Sequence, residues 1–137
     1  MSKQCAVLIF CDFQLENFLV VESKREPGMF TFTGGKKEDS DKDLKETSIR
    51  EFEEESKYSR NLLDESKVLP LCYIPIDEEG NYLEIFYYKT HLDEFLWLDE
   101  TMNKEGQRVR ILSNEQILDT KICLYNYKEI ISLLYNT

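Results

Sequence analysis

The segment from Gly34 to Tyr58, GGKKEDSDKDLKETSIREFEEESKY, constrains the chain more than any other. A Gly-Gly pair leads into a helix with two incompatible faces. With Glu51 as origin and about 100° per residue, Glu54 falls at about 300°, Glu55 at about 40° and Tyr58 at about 340°. Glu51, Glu54 and Glu55 share one stripe, with Arg50 on its border. Ile49, Phe52 and Ser56 occupy another arc, the one that can pack on a sheet. Glu53, at about 200°, points away from the acidic stripe. Carboxylates this close repel, and like charges at i,i+4 weaken a helix. A solvated acidic face is the ordinary outcome of such a run. A divalent cation with oxygen ligands is the alternative that offsets the repulsion.

The rest of the chain supplies a sheet. Residues 4–11 form a continuous apolar, β-branched run that reads as a buried strand, and Asn17–Glu22 as a second. Pro27-Gly28 marks a turn before a short strand at Met29–Thr33, after which Gly34-Gly35 is expected to bend the backbone into the loop before the helix. The helix runs from about Asp43 to about Lys57. Val68–Ile76 and Asn81–Thr90 read as a hairpin across Asp77-Glu78-Glu79-Gly80. Leu92–Lys104, carrying Phe95, Trp97 and Met102, is a long connection, and Gln107–Leu112 another strand. Ser113-x-x-Gln116 is a capping box that opens a short helix. Asn126-x-x-Glu129 opens the last helix, with Ile130, Leu133 and Leu134 as its apolar stripe. Strands interleaved with three helices predict an α/β fold, a mixed sheet covered on both faces as an α/β/α sandwich. At 137 residues this is one domain, 1–137, large enough to bury a core.

Charge narrows the partners. Lys and Arg number 17 against 27 Asp and Glu, a net charge of −10. That disfavours extended nucleic acid or an anionic membrane surface. No stretch reaches the roughly 18 apolar residues of a membrane span, and Met1–Gln4 runs into the first strand without a signal-peptide layout. Cys5, Cys11, Cys72 and Cys123 form no C-x-x-C, and His91 has no partner at zinc spacing. Reduced thiols and a cytoplasmic location are expected, in a monomer or homodimer.

Three local patterns lead nowhere. Asp39-Ser40-Asp41-Lys42-Asp43 starts like a calcium loop, but Leu44 and Arg50 stand where Gly and a bidentate Glu are needed. Gly34-Gly35-Lys36 lacks the rest of a phosphate-binding loop. His91 reads as structural or exposed. Trp97 either stacks on a planar ligand or covers the core.

The segment resembles the box of the Nudix, or MutT-like, hydrolases, G-x5-E-x7-R-E-U-x-E-E-x-G-U with U a bulky apolar residue. Gly35 opens it, Asp41 stands at the first acid, and Arg50, Glu51, Phe52, Glu54 and Glu55 match R-E-U-x-E-E in order, with Tyr58 at the last bulky position. The box spans about residues 35–58. Phe30 to Lys36 is similar to the aromatic-x-apolar-Pro-Gly-Gly-Lys lead-in, and Glu38 to an acid found after that Lys. The chain departs from the pattern in four places. Eight residues rather than seven separate Asp41 from Arg50, Asp replaces Glu, Thr33 replaces Pro, and Lys57 replaces the helix-ending Gly. Lys adopts the left-handed cap at a cost of about 1 kcal/mol.

The resemblance implies the same sandwich fold and a metal-dependent hydrolysis of the pyrophosphate bond in a nucleoside diphosphate derivative. It implies Mg²⁺ or Mn²⁺ on Glu51, Glu54 and Glu55, with the Gly35 carbonyl as a further ligand. Arg50 stays protonated and orients a glutamate through a bidentate contact. Glu105, in Glu105-Gly106-Gln107, resembles a further acid that such enzymes draw from outside the box, and reads equally as a turn acid in solvent. The general base is Glu54 or Glu105. The partner is a small nucleotide-like diphosphate. The alternative is the same fold binding a nucleotide or a partner without turnover.

Overall fold

The computed structural model describes residues 3–57 and 63–137. Tyr58, which closes the sequence box, lies outside the described residues, as do Met1 and Ser2. Seven strands form one sheet: β1 (Gln4–Asp12), β2 (Asn17–Glu22), β3 (Phe30–Thr31), β4 (Thr33–Lys36), β5 (Leu69–Pro75), β6 (Tyr82–Thr90) and β7 (Val109–Ser113). Three α-helices join them: α1 (Leu44–Ser56), α2 (Asn114–Ile117) and α3 (Lys128–Tyr135).

β1 organises the sheet. Its whole length pairs in parallel with β6, from Gln4 opposite Tyr82 to Asp12 opposite Thr90. On its other edge it splits. Cys5–Leu8 pairs with β4, while Phe10 and Cys11 pair with β2. β2 carries β7 along one edge and reaches β3 at Val21 and Glu22. β5 closes the far side as the antiparallel partner of β6. The expected hairpin, first two strands and mixed sheet are all present.

Alternation along β1 sends side chains to both faces. Ala6, Leu8 and Phe10 join Ile49 and Phe52 of α1 in one core. Ile9 and Cys11 join Ile117 of α2 and Ile131 and Leu134 of α3 in the other. The Phe10 ring stacks on Phe52 at 4.7 Å and on Tyr88 of β6 at 5.4 Å. Burying a side chain of this size contributes about 1.5–3 kcal/mol. The result is the α/β/α sandwich the element order predicts.

Four local expectations are corrected. Gly34 and Gly35 do not bend the chain. They lie in β4, paired with Val7 and Ala6, and neither has a positive φ. Glycine is needed there for close approach instead: a Cβ on Gly34 would stand 2.6 Å from the Ala6 carbonyl oxygen. The stripe of α3 is Ile131 and Leu134 with Ile130 packed beside them, and the expected Leu133 is 43% exposed. β7 starts at Val109 rather than Gln107, whose side chain is held elsewhere, donating to the Glu22 carbonyl. Trp97 is 61% exposed on a 3-10 segment, Leu92–Leu98, so it does not cover the core. His91 stands exposed against Phe13.

Candidate active site

α1 carries the acids to the sheet. The Asp43 side chain caps its first turn by accepting the Glu46 N–H. Lys57 ends it in the left-handed region, φ 64°, where the sequence pattern would prefer glycine. Packing Phe52 and Ile49 inward fixes the register, so Glu51, Glu54 and Glu55 face one cavity of about 750 Å³ between the end of α1, the sheet and the segment before α3. Glu105 lines the same cavity from the turn before β7, and Glu53 does not.

Arg50 binds the site's back wall together. Its Nε and Nη2 donate to the two oxygens of Asp41, each at 2.9 Å. Its Nη1 donates to Glu51 at 3.0 Å and Glu54 at 3.3 Å, and Nη2 also reaches the Lys36 carbonyl at 3.1 Å. The bidentate partner is therefore Asp41, where the sequence suggested a glutamate. Asp41 is 4% exposed and also accepts from Thr47 Oγ1 and the Glu38 N–H. The Arg50 guanidinium, then these two donors, hold its carboxyl well below the usual range. A turn in which the Asp41 N–H donates to the Glu38 carbonyl leads into this pair.

The other carboxyls shift the opposite way. Burial pushes Glu55 up to about 8; the Gly34 N–H, which donates to its Oε1 at 2.9 Å, opposes that, and the charges of Glu51 and Glu105 add to it. Burial also raises Glu51, against the pull of Arg50. Raised carboxyls sharing one cavity mark it as the candidate functional site. The backbone makes room for one of them. A Cβ on Gly35 would fall 2.5 Å from the Glu51 carboxyl, so glycine lets that group lie against β4. These hard oxygen donors fit a divalent cation. Among the described residues, no three Asp, Glu, His or Cys side chains converge on one point. Glu51 and Glu54 face Arg50, Glu55 the Gly34 N–H, and Glu105 Lys24.

Two residues that the sequence reading passed over complete the arrangement. Asn103, 5% exposed, accepts the N–H groups of Glu105 and Gln107 with Oδ1 and donates to the Glu55 carbonyl from Nδ2 at 2.9 Å. It fastens the Glu105 turn to the end of α1. The turn needs Gly106 at φ 78°, and N-x-x-G was its sequence signal. Lys24, just past β2, pairs with Glu105 at 2.5 Å, both side chains half exposed or more. Nothing local in the sequence marked it.

A mixed seven-stranded sheet with α1 on one face, α2 and α3 on the other, and an arginine-braced acidic stripe at its edge defines a fold class. That fold is the MutT/Nudix fold. Over 98% of its length the chain superposes on 97% of a MutT protein from a structural study of Aliivibrio salmonicida and Vibrio cholerae, with a TM-score of 0.66 at 11% identity. A MutT/Nudix family protein from Enterococcus faecalis matches 82% of the chain, TM-score 0.60, at 10% identity. This chain spans 44% of that longer protein. No family profile and no curated sequence matches the chain.

Proposed function

We propose that the protein is a metal-dependent hydrolase that cleaves the pyrophosphate bond of a small nucleoside diphosphate derivative by water attack on phosphorus. The observation that carries this reading is the meeting of Glu51, Glu54, Glu55 and Glu105 in one cavity, with Arg50, itself held by Asp41, braced behind Glu51 and Glu54. Glu51, Glu54 and Glu55 would hold Mg²⁺ or Mn²⁺. Such an ion neutralises phosphate charge and lowers the pKa of a bound water.

The chain's own groups do the remaining work. Arg50, kept cationic by Asp41, fixes the Glu51 and Glu54 carboxylates and cannot itself take a proton. Glu54, exposed on the outer side of the stripe, and Glu105, across the cavity, are the two candidates to accept the proton of the attacking water. Lys24 is a cavity-lining cation within reach of a phosphate. No helix of the described residues is long and apolar enough to cross a membrane, and all four cysteines are free thiols, which suits a reducing cytoplasm.

The second reading, nucleotide binding without turnover, draws on one observation: the carboxylates are engaged with Arg50, Lys24 and Gly34 rather than gathered on a point. A panel of nucleoside diphosphate derivatives incubated with Mg²⁺ or Mn²⁺, assayed for phosphate-bearing products, separates the two. Hydrolysis of any one supports the enzyme; binding without product across the panel supports the second reading.

A further inference from the structure

Residues 91–100, HLDEFLWLDE, hold four acids, no Lys or Arg, and the chain's single tryptophan. The 3-10 segment within them, Leu92–Leu98, is seven residues, long for its kind. At three residues per turn it presents three faces. Leu92, Phe95 and Leu98 form the inner one. Leu92 and Leu98 are buried, and the Phe95 ring meets Phe10 edge-on at 5.3 Å. The other two faces point outward and have the same make-up. Leu96 is 53% exposed, with Asp93 one turn before it on the same face. Trp97 is 61% exposed, with Glu94 one turn before it. Asp99 and Glu100 follow directly after the segment.

The segment is anchored at its far end. Glu100 sits at φ 66°, a conformation that costs energy for any residue with a side chain. It is kept there by two bonds: the Glu100 N–H donates to the Val109 carbonyl at 2.7 Å, and the Val109 N–H to the Thr101 carbonyl at 2.8 Å. Asp99 is engaged within the fold, accepting from Arg110 Nε and from the Ile111 N–H. Asp93, Glu94 and Glu100 are exposed, and among the described residues their carboxylates have no cationic partner. None of the side chains of residues 91–100 lines the acidic cavity.

We propose that residues 93–100 are a docking surface for a Lys- or Arg-bearing amphipathic segment of another protein. Its apolar side chains cover Leu96 and Trp97, and its cations meet Asp93, Glu94 and Glu100. A tryptophan buries more apolar area than other side chains and is enriched among the residues that dominate interfaces. The carboxylates select the partner. An acidic or purely apolar surface would take water from three charges and pair none of them. A second copy of this chain fails on the same ground, because a two-fold contact sets each acidic frame against its twin, between molecules of net charge −10. A nucleic acid or an anionic membrane is repelled likewise. The surface stands apart from the proposed hydrolysis and does not depend on it.

Because Trp97 is the single tryptophan, its emission reports on this surface alone. The whole protein is titrated with three tryptophan-free peptides of equal length: Lys and Leu in amphipathic order, Lys and Ser with the same charge, and Glu and Leu. The Lys/Leu peptide is expected to shift Trp97 emission to the blue and to saturate. The other two should bind at least about tenfold more weakly. Variants are compared by the anisotropy of dye-labelled Lys/Leu peptide. Trp97→Ala should weaken binding at least about fivefold. Asp93→Asn combined with Glu94→Gln should do the same. Glu78→Gln combined with Glu79→Gln removes as much charge from the exposed β5–β6 turn and should stay within about twofold. All these positions are exposed, so the variants keep the fold. No blue shift with the Lys/Leu peptide, equal affinity in wild type and Trp97→Ala, or equal losses in the two charge-neutralised variants overturns the proposal. So does a Trp97 shift produced by raising the protein concentration alone or by neutral phosphatidylcholine vesicles, which would give the surface to a second copy or to lipid.

Discussion

The carboxylate of Asp41 and the guanidinium of Arg50 meet edge to edge, two parallel N–H···O bonds of 2.9 Å, at the foot of the acidic stripe. The pair is largely shielded, with side-chain exposures of 2% and 18%. Removing Asp41 leaves a cation that Glu51 and Glu54 only partly satisfy. Asp41→Ala should therefore destabilise the fold by about 3 kcal/mol, the lower end of the cost of breaking a buried pair. Because the folded pKa is depressed, the pair's contribution is present above the ordinary carboxylate range and is lost as pH falls through and below it. Urea unfolding from pH 6 down to pH 2 should show a steeper loss in wild type than in Asp41→Asn. Parallel curves would mean the pair adds nothing to stability.

Glu55 behaves in the opposite sense. Its folded pKa lies at about 8, above the unfolded value, so the folded state binds the extra proton between the two. In chelator, stability should fall as pH rises from about 4.5 to about 8. Glu55→Gln keeps an acceptor for the Gly34 N–H and carries no charge. It should match wild type near pH 4 and exceed it at pH 9 in thermal unfolding. A Gln variant less stable than wild type at pH 9 would remove the case for an uncompensated charge.

Position on the helix should outweigh charge. Glu53 and Glu55 are two residues apart, and only Glu55 lines the cavity. Glu55→Gln is expected to lower kcat by orders of magnitude and Glu53→Gln to leave it nearly unchanged, with Mn²⁺ relaxation titrations following the same order. Similar losses in both would place the site elsewhere.

Glu105→Gln should keep its fold, since the turn is held by Asn103 and not by the carboxylate. A loss of roughly tenfold or more in kcat is expected if this group takes the proton or a metal. Unchanged kcat and metal dependence would leave Glu54 as the base.

The two glycines of β4 should fail differently. An added methyl on Gly34 meets backbone, the Ala6 carbonyl oxygen, and should cost about 1–3 kcal/mol of stability. On Gly35 it meets only the movable end of Glu51. Gly35→Ala should fold with near-wild-type stability and lose Mn²⁺ affinity. Equal thermal shifts with intact metal binding would contradict the cradle.

The helix and its acidic face were legible because one short segment encodes both: Phe52 and Ile49 set the buried arc, and the glutamates follow from it. The capping box at Ser113 and Gln116 was legible for the same local reason. The role of Gly34-Gly35 was not, since a glycine required by a neighbouring strand looks, in sequence, like one required by a turn. Asp41 could be placed at the first acid but not given a partner, because side-chain reach compensates a spacing that counting residues rejects. Lys24 and Glu105 come together from segments far apart in the chain, and no local pattern announces such a meeting.

The parallel pairing of β1 with β6 has a consequence for the order of events. The Phe10 ring that stacks on Phe52 also stacks on Tyr88, one ring from each strand, so the full stack does not exist until the chain has closed a loop of more than half its length. Contacts that distant form slowly. A nascent chain ending before Tyr82 already holds every acid of α1 and the β1 residues it packs on, but it lacks the strand that completes the sheet beneath them. The catalytic competence proposed here would arrive in one late step, with the docking of a strand that contributes no carboxylate to the cavity.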